Sequence, residues 1–303
     1  MIQTVNGKID KKDLGITMCH EHFIIDLSRV RGEDDSTLQD TKLMIKEIEK
    51  LKTLGAQAVI EVTANDMGRD VVKLKELSEV TGLHIIASTG FYLAPYHSKW
   101  VQKSTIDDLK TLFKKELIEG IEGTGIKAGI IGEVATSKDK VWPTEEKVLR
   151  AAARASKEVG VAVSTHCDMG TMAKEQIHLM LGEGMEADKL ILGHVDLVSD
   201  TLYHKQILEK GVNVAFDTIG KTRYLKDEER ADHLVSLIEA GYEDHLLLSQ
   251  DVSRKSYLCS CGGRGYTSVL GYFIDLLRER GISKLQVDKL LIHNPARILD
   301  RSC

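Results

Sequence analysis

The sequence predicts an α/β protein, and within that class a closed (β/α)8 (TIM) barrel. Eight short apolar runs typical of strands are spread along the chain, and segments with helical spacing separate them. No linker, low-complexity tract or change in composition divides the 303 residues. Alternating strands and helices indicate a parallel sheet covered by helices, and a single barrel of this kind has about 250 residues. We therefore expect one domain over residues 1–303, with a doubly wound open sheet as the alternative.

The predicted elements alternate in order along the chain. Strands are expected at residues 16–22, 58–63, 84–90, 128–133, 161–166, 190–195, 212–217 and 245–251. Apolar residues recur at helical spacing between them, as in residues 43–54 and 109–117. At Asn294-Pro295 a capping residue precedes a proline, which is typical of the first turn of a helix. Eight such βα units are the number that closes a barrel.

Composition and charge exclude several classes of protein. No apolar run approaches the roughly 18 residues that cross a bilayer, and residues 1–12 are too polar for a signal peptide. The net charge of −5 does not favour nucleic-acid binding. Five cysteines at irregular spacing do not match a disulfide framework. We expect a cytoplasmic protein that binds neither nucleic acid nor a membrane.

Potential metal ligands stand at the C-terminal ends of the predicted strands. His20 and His22 lie two residues apart on a strand, so both point to the same side and Glu21 points away. Three more candidates follow other apolar runs in the same way: His166, His194 and Asp251. The active site of a (β/α)8 barrel lies at these strand ends. The pattern predicts a metal site with imidazole and carboxylate ligands.

Glu133 ends the fourth predicted strand and adds a second carboxylate to this set. A carboxylate opposite four histidines and an aspartate could bridge two cations. In a water-poor pocket an unpaired carboxylate would carry a large desolvation cost, which favours contact with metal. A surface glutamate after a strand is the alternative interpretation.

Several segments together carry a resemblance to a known family. They are His20-Glu21-His22, Ala128-Gly129-Ile130-Ile131, Val134-Ala135-Thr136, Thr165-His166, Gly193-His194, Phe216-Asp217-Thr218-Ile219-Gly220 and Gln250-Asp251. On these residues the chain resembles the phosphotriesterase family of the amidohydrolase superfamily over nearly its whole length. It looks most like the phosphotriesterase homology branch, because Glu133, preceded by Gly132, stands where other members have a carboxylated lysine.

The resemblance implies a binuclear metal site and a hydrolytic activity. Glu133 would bridge two divalent ions, with His20, His22 and Asp251 on one and His166 and His194 on the other. Two such ions roughly 3.5–4 Å apart lower the pKa of a shared water far enough to give hydroxide and polarise the bond attacked. Asp251 would then carry the proton to the leaving group. Zinc is the default ion, with manganese or cobalt as alternatives. A homodimer is a family expectation.

Basic and aromatic residues cluster after the seventh and eighth predicted strands. They are Lys221, Arg223, Arg254, Lys255 and Tyr257. In an acidic chain, cations at the mouth of the barrel predict a small anionic substrate; solvated loop charges are the alternative. Arg254 and Tyr257, with Lys221 or Arg223, also resemble the phosphate-binding set of family members that hydrolyse phosphorylated sugar lactones. Tyr92, after the third strand, could orient the scissile group or simply pack at the rim.

The leading hypothesis is a metal-dependent hydrolase that opens a lactone, with a phosphorylated sugar lactone as the preferred class. Other bonds at the same site are the first alternative: a phosphotriester, an acyl-homoserine lactone or the amide of an N-acyl amino acid. The cationic loops argue against the first two of these, which are neutral or need an apolar channel. A metal-binding protein without catalysis is the second alternative, which the proton-shuttle candidate Asp251 argues against.

Overall fold

The computed structural model describes residues 1–301 and contains an eight-stranded parallel sheet. The strands are β1 Thr17–Glu21, β2 Ala58–Glu61, β3 His84–Thr89, β4 Ile130–Thr136, β5 Val163–Cys167, β6 Leu190–Gly193, β7 Asn213–Phe216 and β8 Leu246–Leu248. Their order in the sheet follows their order in the chain, and each neighbouring pair is parallel. The predicted (β/α)8 barrel is confirmed, and the open-sheet alternative is wrong.

Strands β8 and β1 are joined by a small set of hydrogen bonds that closes the barrel. The His20 amide donates to Ser249 Oγ at 3.1 Å, and the Asp251 amide donates to the His20 carbonyl at 3.3 Å. Glu21 is buried and accepts from the amides of Gln250 and Val252, each at 3.0 Å. The middle residue of the His-x-His segment therefore points away from the histidines, as predicted, and holds the Asp251 segment against β1.

Helices surround the sheet and the loops that leave it. They are α1 Ser28–Arg31, α2 Thr41–Thr53, α3 Val71–Thr81, α4 Lys99–Lys103, α5 Ile106–Ile118, α6 Pro143–Val159, α7 Ala173–Gly182, α8 Thr201–Leu208, α9 Asp227–Glu239, α10 Ile274–Glu279, α11 Lys284–Asp288 and α12 Asn294–Leu299. Helix α2 shows the pattern: Asp40 caps it by accepting from the Leu43 amide at 3.1 Å, and Met44, Ile48 and Leu51 are buried on one face. No helix within residues 1–301 is long and apolar enough to span a bilayer.

The predicted cap at Asn294 is wrong. A π-helical turn, Lys289–His293, runs directly into α12, so Asn294 has helical backbone angles and is not the N-cap of α12. Its side chain instead donates to the carbonyls of Glu243 and Leu246, each at 2.8 Å. The asparagine ties α12 to the start of β8, a long-range contact that a local sequence pattern does not reveal.

Two antiparallel hairpins lie outside the barrel. Ile2–Thr4 pairs with Gly7–Ile9 near the N-terminus. Ile25–Asp26 pairs with Thr37–Leu38 and encloses the loop that follows β1, including helix α1. Neither hairpin was predicted from the sequence. The second one matters for function because it fixes a loop at the C-terminal mouth of the barrel.

Candidate metal centre

Four imidazoles converge on the carboxylate of Glu133 at the C-terminal mouth of the barrel. His20 Nε2 and His166 Nδ1 lie 3.3 and 3.2 Å from Glu133 Oε2, and His194 Nε2 lies 3.7 Å from the same oxygen. His22 Nε2 lies 3.6 Å from the other oxygen, Oε1. The donor atoms fall into two groups that share Glu133, one with His20 and His22 and one with His166 and His194. All five side chains are nearly inaccessible to solvent.

Glu133 is placed by an irregularity in the sheet. Strand β4 continues to Thr136, so the prediction that Glu133 ends the strand is wrong. The pairing of β4 with β5 shifts register between Ile131 and Val134, and such bulges re-aim side chains beside active sites. Gly132 is required here, since a Cβ at its φ of +141° would lie 2.4 Å from the Ser164 carbonyl oxygen.

Asp251 lies beside His22 and is paired with a lysine. Its Oδ1 is 3.3 Å from His22 Nε2, and its Oδ2 is in contact with the Lys221 ammonium. Burial alone would raise the pKa of Asp251, but the charge of Lys221 and the hydrogen bond with His22 hold it far below its usual range. Asp251 (φ +48°) and His194 (φ +63°) both have left-handed backbones, which are uncommon in non-glycine residues and cluster at functional sites.

The residues present fit a divalent metal pair. His20 is buried, and within residues 1–301 neither of its ring nitrogens makes a hydrogen bond of good geometry, although Glu133 Oε2 is only 3.3 Å from Nε2. Leaving a buried nitrogen such as Nε2 unsatisfied is costly, and a cation bound there would satisfy it. Imidazole and carboxylate are the donors that zinc, manganese and cobalt accept.

Asp217 holds two of the imidazoles from behind, and the sequence analysis gave it no role. Its Oδ1 accepts from His194 Nδ1 at 2.9 Å, and its Oδ2 lies 3.2 Å from His20 Nδ1. Because both Nδ1 atoms face Asp217, both Nε2 atoms face Glu133. A carboxylate behind a ligating histidine fixes its tautomer and orientation. The signal was present, since Asp217 ends the seventh predicted strand as the other candidates end theirs.

A close approach at Gly193 makes the Asp217 contact possible. A Cβ at this position would lie 2.4 Å from the Thr165 carbonyl oxygen and 2.9 Å from Asp217 Oδ2. Any larger residue before His194 would displace the carboxylate from the two imidazoles.

A second relay fixes His22. Its Nδ1 lies 2.8 Å from Thr63 Oγ1, and that hydroxyl donates to the buried carboxylate of Glu61 at 2.7 Å. Because the hydroxyl proton goes to Glu61, its oxygen accepts from His22 Nδ1–H. His22 then presents an unprotonated Nε2 to the centre, which is the form that binds metal.

Most of the candidate metal ligands line a cavity of about 230 Å³. Four of the predicted substrate-binding residues line it: Tyr92, Lys221, Arg254 and Tyr257. The Tyr92 hydroxyl lies 3.4 Å from His166 Nε2. Arg223 and Lys255 are not among the residues that line the cavity: Arg223 stacks 4.6 Å from the Tyr224 ring, and Lys255 pairs with Asp34. Their contact with substrate stays a prediction.

The expected excess of cations at the mouth is largely balanced. Arg254 is ion-paired with Glu33, and Asp35 lies 3.5 Å from the same nitrogen. The Ser256 amide donates to Asp35 at 2.8 Å. The acidic residues 33–35, in the loop after β1, thus neutralise the basic loop after β8. The contact between these two segments was not predicted from the sequence.

A barrel of this kind, with two imidazole groups sharing one carboxylate at its catalytic mouth, defines a metal-dependent hydrolase. The model of the phosphotriesterase family matches residues 1–299, and the chain belongs to that family. The phosphotriesterase homology protein of Escherichia coli (strain K12) is 37% identical over 283 residues, which are 93% of this chain and 97% of that protein. The N-acetyltaurine hydrolase of Danio rerio is 31% identical and covers 98% of this chain, with 97% of its own length matched.

Solved structures agree with this assignment. The E. coli phosphotriesterase homology protein, crystallised with phosphate in its active site, matches with a TM-score of 0.93 at 36% identity, over 95% of this chain and 99% of that one. A lactonase of Listeria monocytogenes matches with a TM-score of 0.95 at 30% identity, over 100% of this chain and 99% of that one. The family resemblance stated from the sequence is confirmed.

Proposed function

We propose that this protein is a binuclear metal-dependent hydrolase that opens a lactone ring, with a phosphorylated sugar lactone as its preferred substrate. The observation that carries the proposal is the pair of imidazole groups sharing Glu133 at the base of a cavity lined by Lys221, Arg254 and Tyr257. The similarity to a lactonase and to a homologue that holds phosphate in its active site supports it.

In the proposed centre Glu133 would be shared by two cations, zinc in preference to manganese or cobalt. His20, His22 and Asp251 would hold one of them, and His166 and His194 the other. When bound, two divalent cations polarise the carbonyl under attack and increase the acidity of water. Asp217 and the Thr63–Glu61 relay keep the imidazole nitrogens turned toward the centre.

The remaining steps belong to side chains of the cavity. Asp251 accepts the proton released when the nucleophile adds to the carbonyl carbon, and delivers it to the ring oxygen as the ester bond breaks. Lys221, in contact with Asp251 Oδ2, keeps the carboxylate ionised before the proton is released. Tyr92, whose hydroxyl lies beside His166, positions the scissile carbonyl. Arg254 and Tyr257 contact the phosphate at the far end of the substrate.

A second candidate is hydrolysis of an N-acyl amino acid or amino sulfonate. It is favoured by the similarity to N-acetyltaurine hydrolases, which match nearly the whole chain. The same cavity would then hold an amide carbonyl over the metals and a sulfonate or carboxylate at the cationic end. An acyl-homoserine lactone or a phosphotriester has no anionic group for these residues.

The test is a direct comparison of substrates on one metal-loaded preparation. We expect the highest kcat/KM for a phosphorylated γ-lactone, a lower value for the same lactone without phosphate, and the lowest for a phosphotriester. Faster turnover of N-acetyltaurine than of any lactone would replace the first candidate with the second. No hydrolysis of any of these compounds with two metals bound would favour a non-catalytic metal-binding protein.

We further propose a cytoplasmic location. Cys19 and Cys167 are free thiols next to the ligands His20 and His166, and such thiols suit a reducing compartment.

A further inference from the structure

One cation in the cavity has no ion-pair partner among residues 1–301. Arg31 lines the same cavity as Glu133 and His166. Within residues 1–301 no carboxylate oxygen lies within 4.0 Å of its guanidinium, and its buried Nη1 has no hydrogen-bond partner. The other two cavity cations, Lys221 and Arg254, are paired with Asp251 and Glu33. Among residues 1–301, Arg31 is therefore the one of these three cavity cations that has no carboxylate within ion-pair distance, although Asp251 and Glu33 act on it from farther away.

Arg31 is held on an ordered support. Helix α1 begins at Ser28, whose amide and hydroxyl donate to Asp26 Oδ1 at 2.9 and 2.6 Å. The Leu27 amide donates to the Ser36 carbonyl at 3.0 Å, and the Arg31 amide donates to the Leu27 carbonyl at 3.1 Å. The hairpin and the turn thus fix the backbone of Arg31. The backbone at this position is therefore ordered without a bound ligand.

Two phenol groups share this side of the cavity. Tyr92 and Tyr96 both line it and face the charge of Arg31. Burial raises the pKa of Tyr96 in spite of the positive charge of Arg31, so the phenol stays protonated at neutral pH and is able to donate a hydrogen bond. The guanidinium and the Tyr96 phenol together present hydrogen-bond donors to this side of the cavity.

We propose that Arg31, assisted by Tyr96, binds the anionic group of the substrate, an oxyanion of the phosphate, sulfonate or carboxylate class. The planar guanidinium matches two oxygens of such a group, and a partly buried guanidinium whose Nη1 has no partner among residues 1–301 favours one. The inference rests on the proposed hydrolase function and deepens it, because it places the main contact for the anion on the loop after β1. Arg254, already paired with Glu33, is then the lesser contact.

The first test measures binding without catalysis. The metal-loaded and metal-free proteins are titrated calorimetrically with inorganic phosphate, methanesulfonate and acetate. We expect Arg31→Gln to weaken binding of the best oxyanion by about 10–100-fold in both forms, and Arg31→Lys to lose less. Lys138→Gln is the control, because Lys138 is exposed near the mouth, where its amide donates to Asp168, but does not line the cavity. Unfolding midpoints of all variants show whether the fold is intact.

Three results would overturn the proposal: equal affinities of wild type and a folded Arg31→Gln, an equal loss in Lys138→Gln, or no binding of any of the three anions by the wild type. The anion bound most tightly identifies the class, with phosphate pointing to a phosphorylated lactone and sulfonate to an N-acyl amino sulfonate. This test measures binding and not turnover. Its result can therefore be interpreted even if the protein does not hydrolyse lactones.

The second test uses selectivity. The ratio of kcat/KM for a phosphorylated lactone to that for its unphosphorylated form is measured in wild type and Arg31→Gln. We expect the ratio to fall about 10–100-fold, mainly through KM, because the lost contact is remote from the bond cleaved. A loss in kcat alone, with the ratio unchanged, would assign Arg31 to the chemistry and contradict a role in anion binding.

Discussion

Asp217 accepts a hydrogen bond of 2.9 Å from His194 Nδ1, and its second oxygen lies 3.2 Å from His20 Nδ1. One carboxylate therefore orients an imidazole from each of the two groups that share Glu133. Shared support of this kind couples the two proposed metal positions, because a shift of Asp217 turns both Nε2 atoms.

We expect Asp217→Asn to weaken metal binding by about 10–100-fold, since the amide cannot accept from both imidazoles and offers a donor to one of them. Competition with a chelator, followed by elemental analysis, gives the affinity. Asp232→Asn is the control, because Asp232 is exposed and pairs with Arg280 at 2.6 Å, away from the candidate metal ligands. Unchanged metal affinity in Asp217→Asn would show that the carboxylate does not support the ligands.

The position of Glu133 between the two imidazole groups predicts how many divalent metal ions the protein binds. If it bridges, the wild type binds about two equivalents of divalent metal, and Glu133→Ala disturbs both positions. His166→Ala removes a ligand from one position only, so we expect it to retain close to one equivalent. Elemental analysis after dialysis tests this, and no metal in the wild type would contradict the ligand assignment as a whole.

Asp251→Asn separates proton transfer from folding. The amide still contacts His22 but cannot accept a proton, so we expect kcat to fall by about 10²–10⁴-fold. Circular dichroism and metal content should stay close to those of the wild type. A near-normal kcat with full metal content would exclude Asp251 as the proton carrier.

The ion pair between Arg254 and Glu33 permits a paired comparison. We expect Arg254→Ala to lower kcat/KM for a phosphorylated lactone about tenfold, because it removes a charge-assisted contact to the phosphate. Glu33→Gln releases Arg254 without removing it, so its effect should stay within about threefold, as for other partly exposed pairs. Equal losses in the two variants would show that the pair only holds the two loops together.

Replacing the buried Arg230 is expected to lower the stability of the protein. It is fully buried, with Nε 3.0 Å from Asp196 Oδ2, Nη1 2.8 Å from Asp227 Oδ1 and Nη2 2.9 Å from Thr218 Oγ1. Arg230→Met leaves two buried carboxylates without their partner, so we expect a loss of about 3–5 kcal/mol in unfolding free energy. Denaturation by urea measures it. The control Arg280→Met breaks a pair with the exposed Asp232 and should cost less than about 1 kcal/mol.

Local patterns were sufficient for the fold and for most of the candidate centre. Apolar runs and helical spacing depend on residues close in sequence, and strand alternation alone turns Glu21 away from His20 and His22. The C-terminal ends of parallel strands meet at one edge, so strand position alone groups the histidines with Asp251. The bulge beside Glu133 could not be predicted from the sequence, because a register shift depends on the neighbouring strand.

The sequence could not predict which charged side chains pair with one another. Arg254 and Glu33 are 221 residues apart, and nothing local indicates that the acidic loop meets the basic one. The basic loop after β8 therefore looked like an unbalanced anion site, while Arg31, the cavity cation with no carboxylate nearby among residues 1–301, received no role.

The sequence by itself determined the barrel, the family and the residues that gather at its mouth, because periodicity and strand ends are local properties that the topology then repeats. Only the tertiary structure decided which charges neutralise one another, which carboxylate supports the imidazoles and which cation is left to face a ligand. Those outcomes depend on distances of a few ångströms between loops far apart in the chain, where electrostatic and hydrogen-bond energies change most steeply.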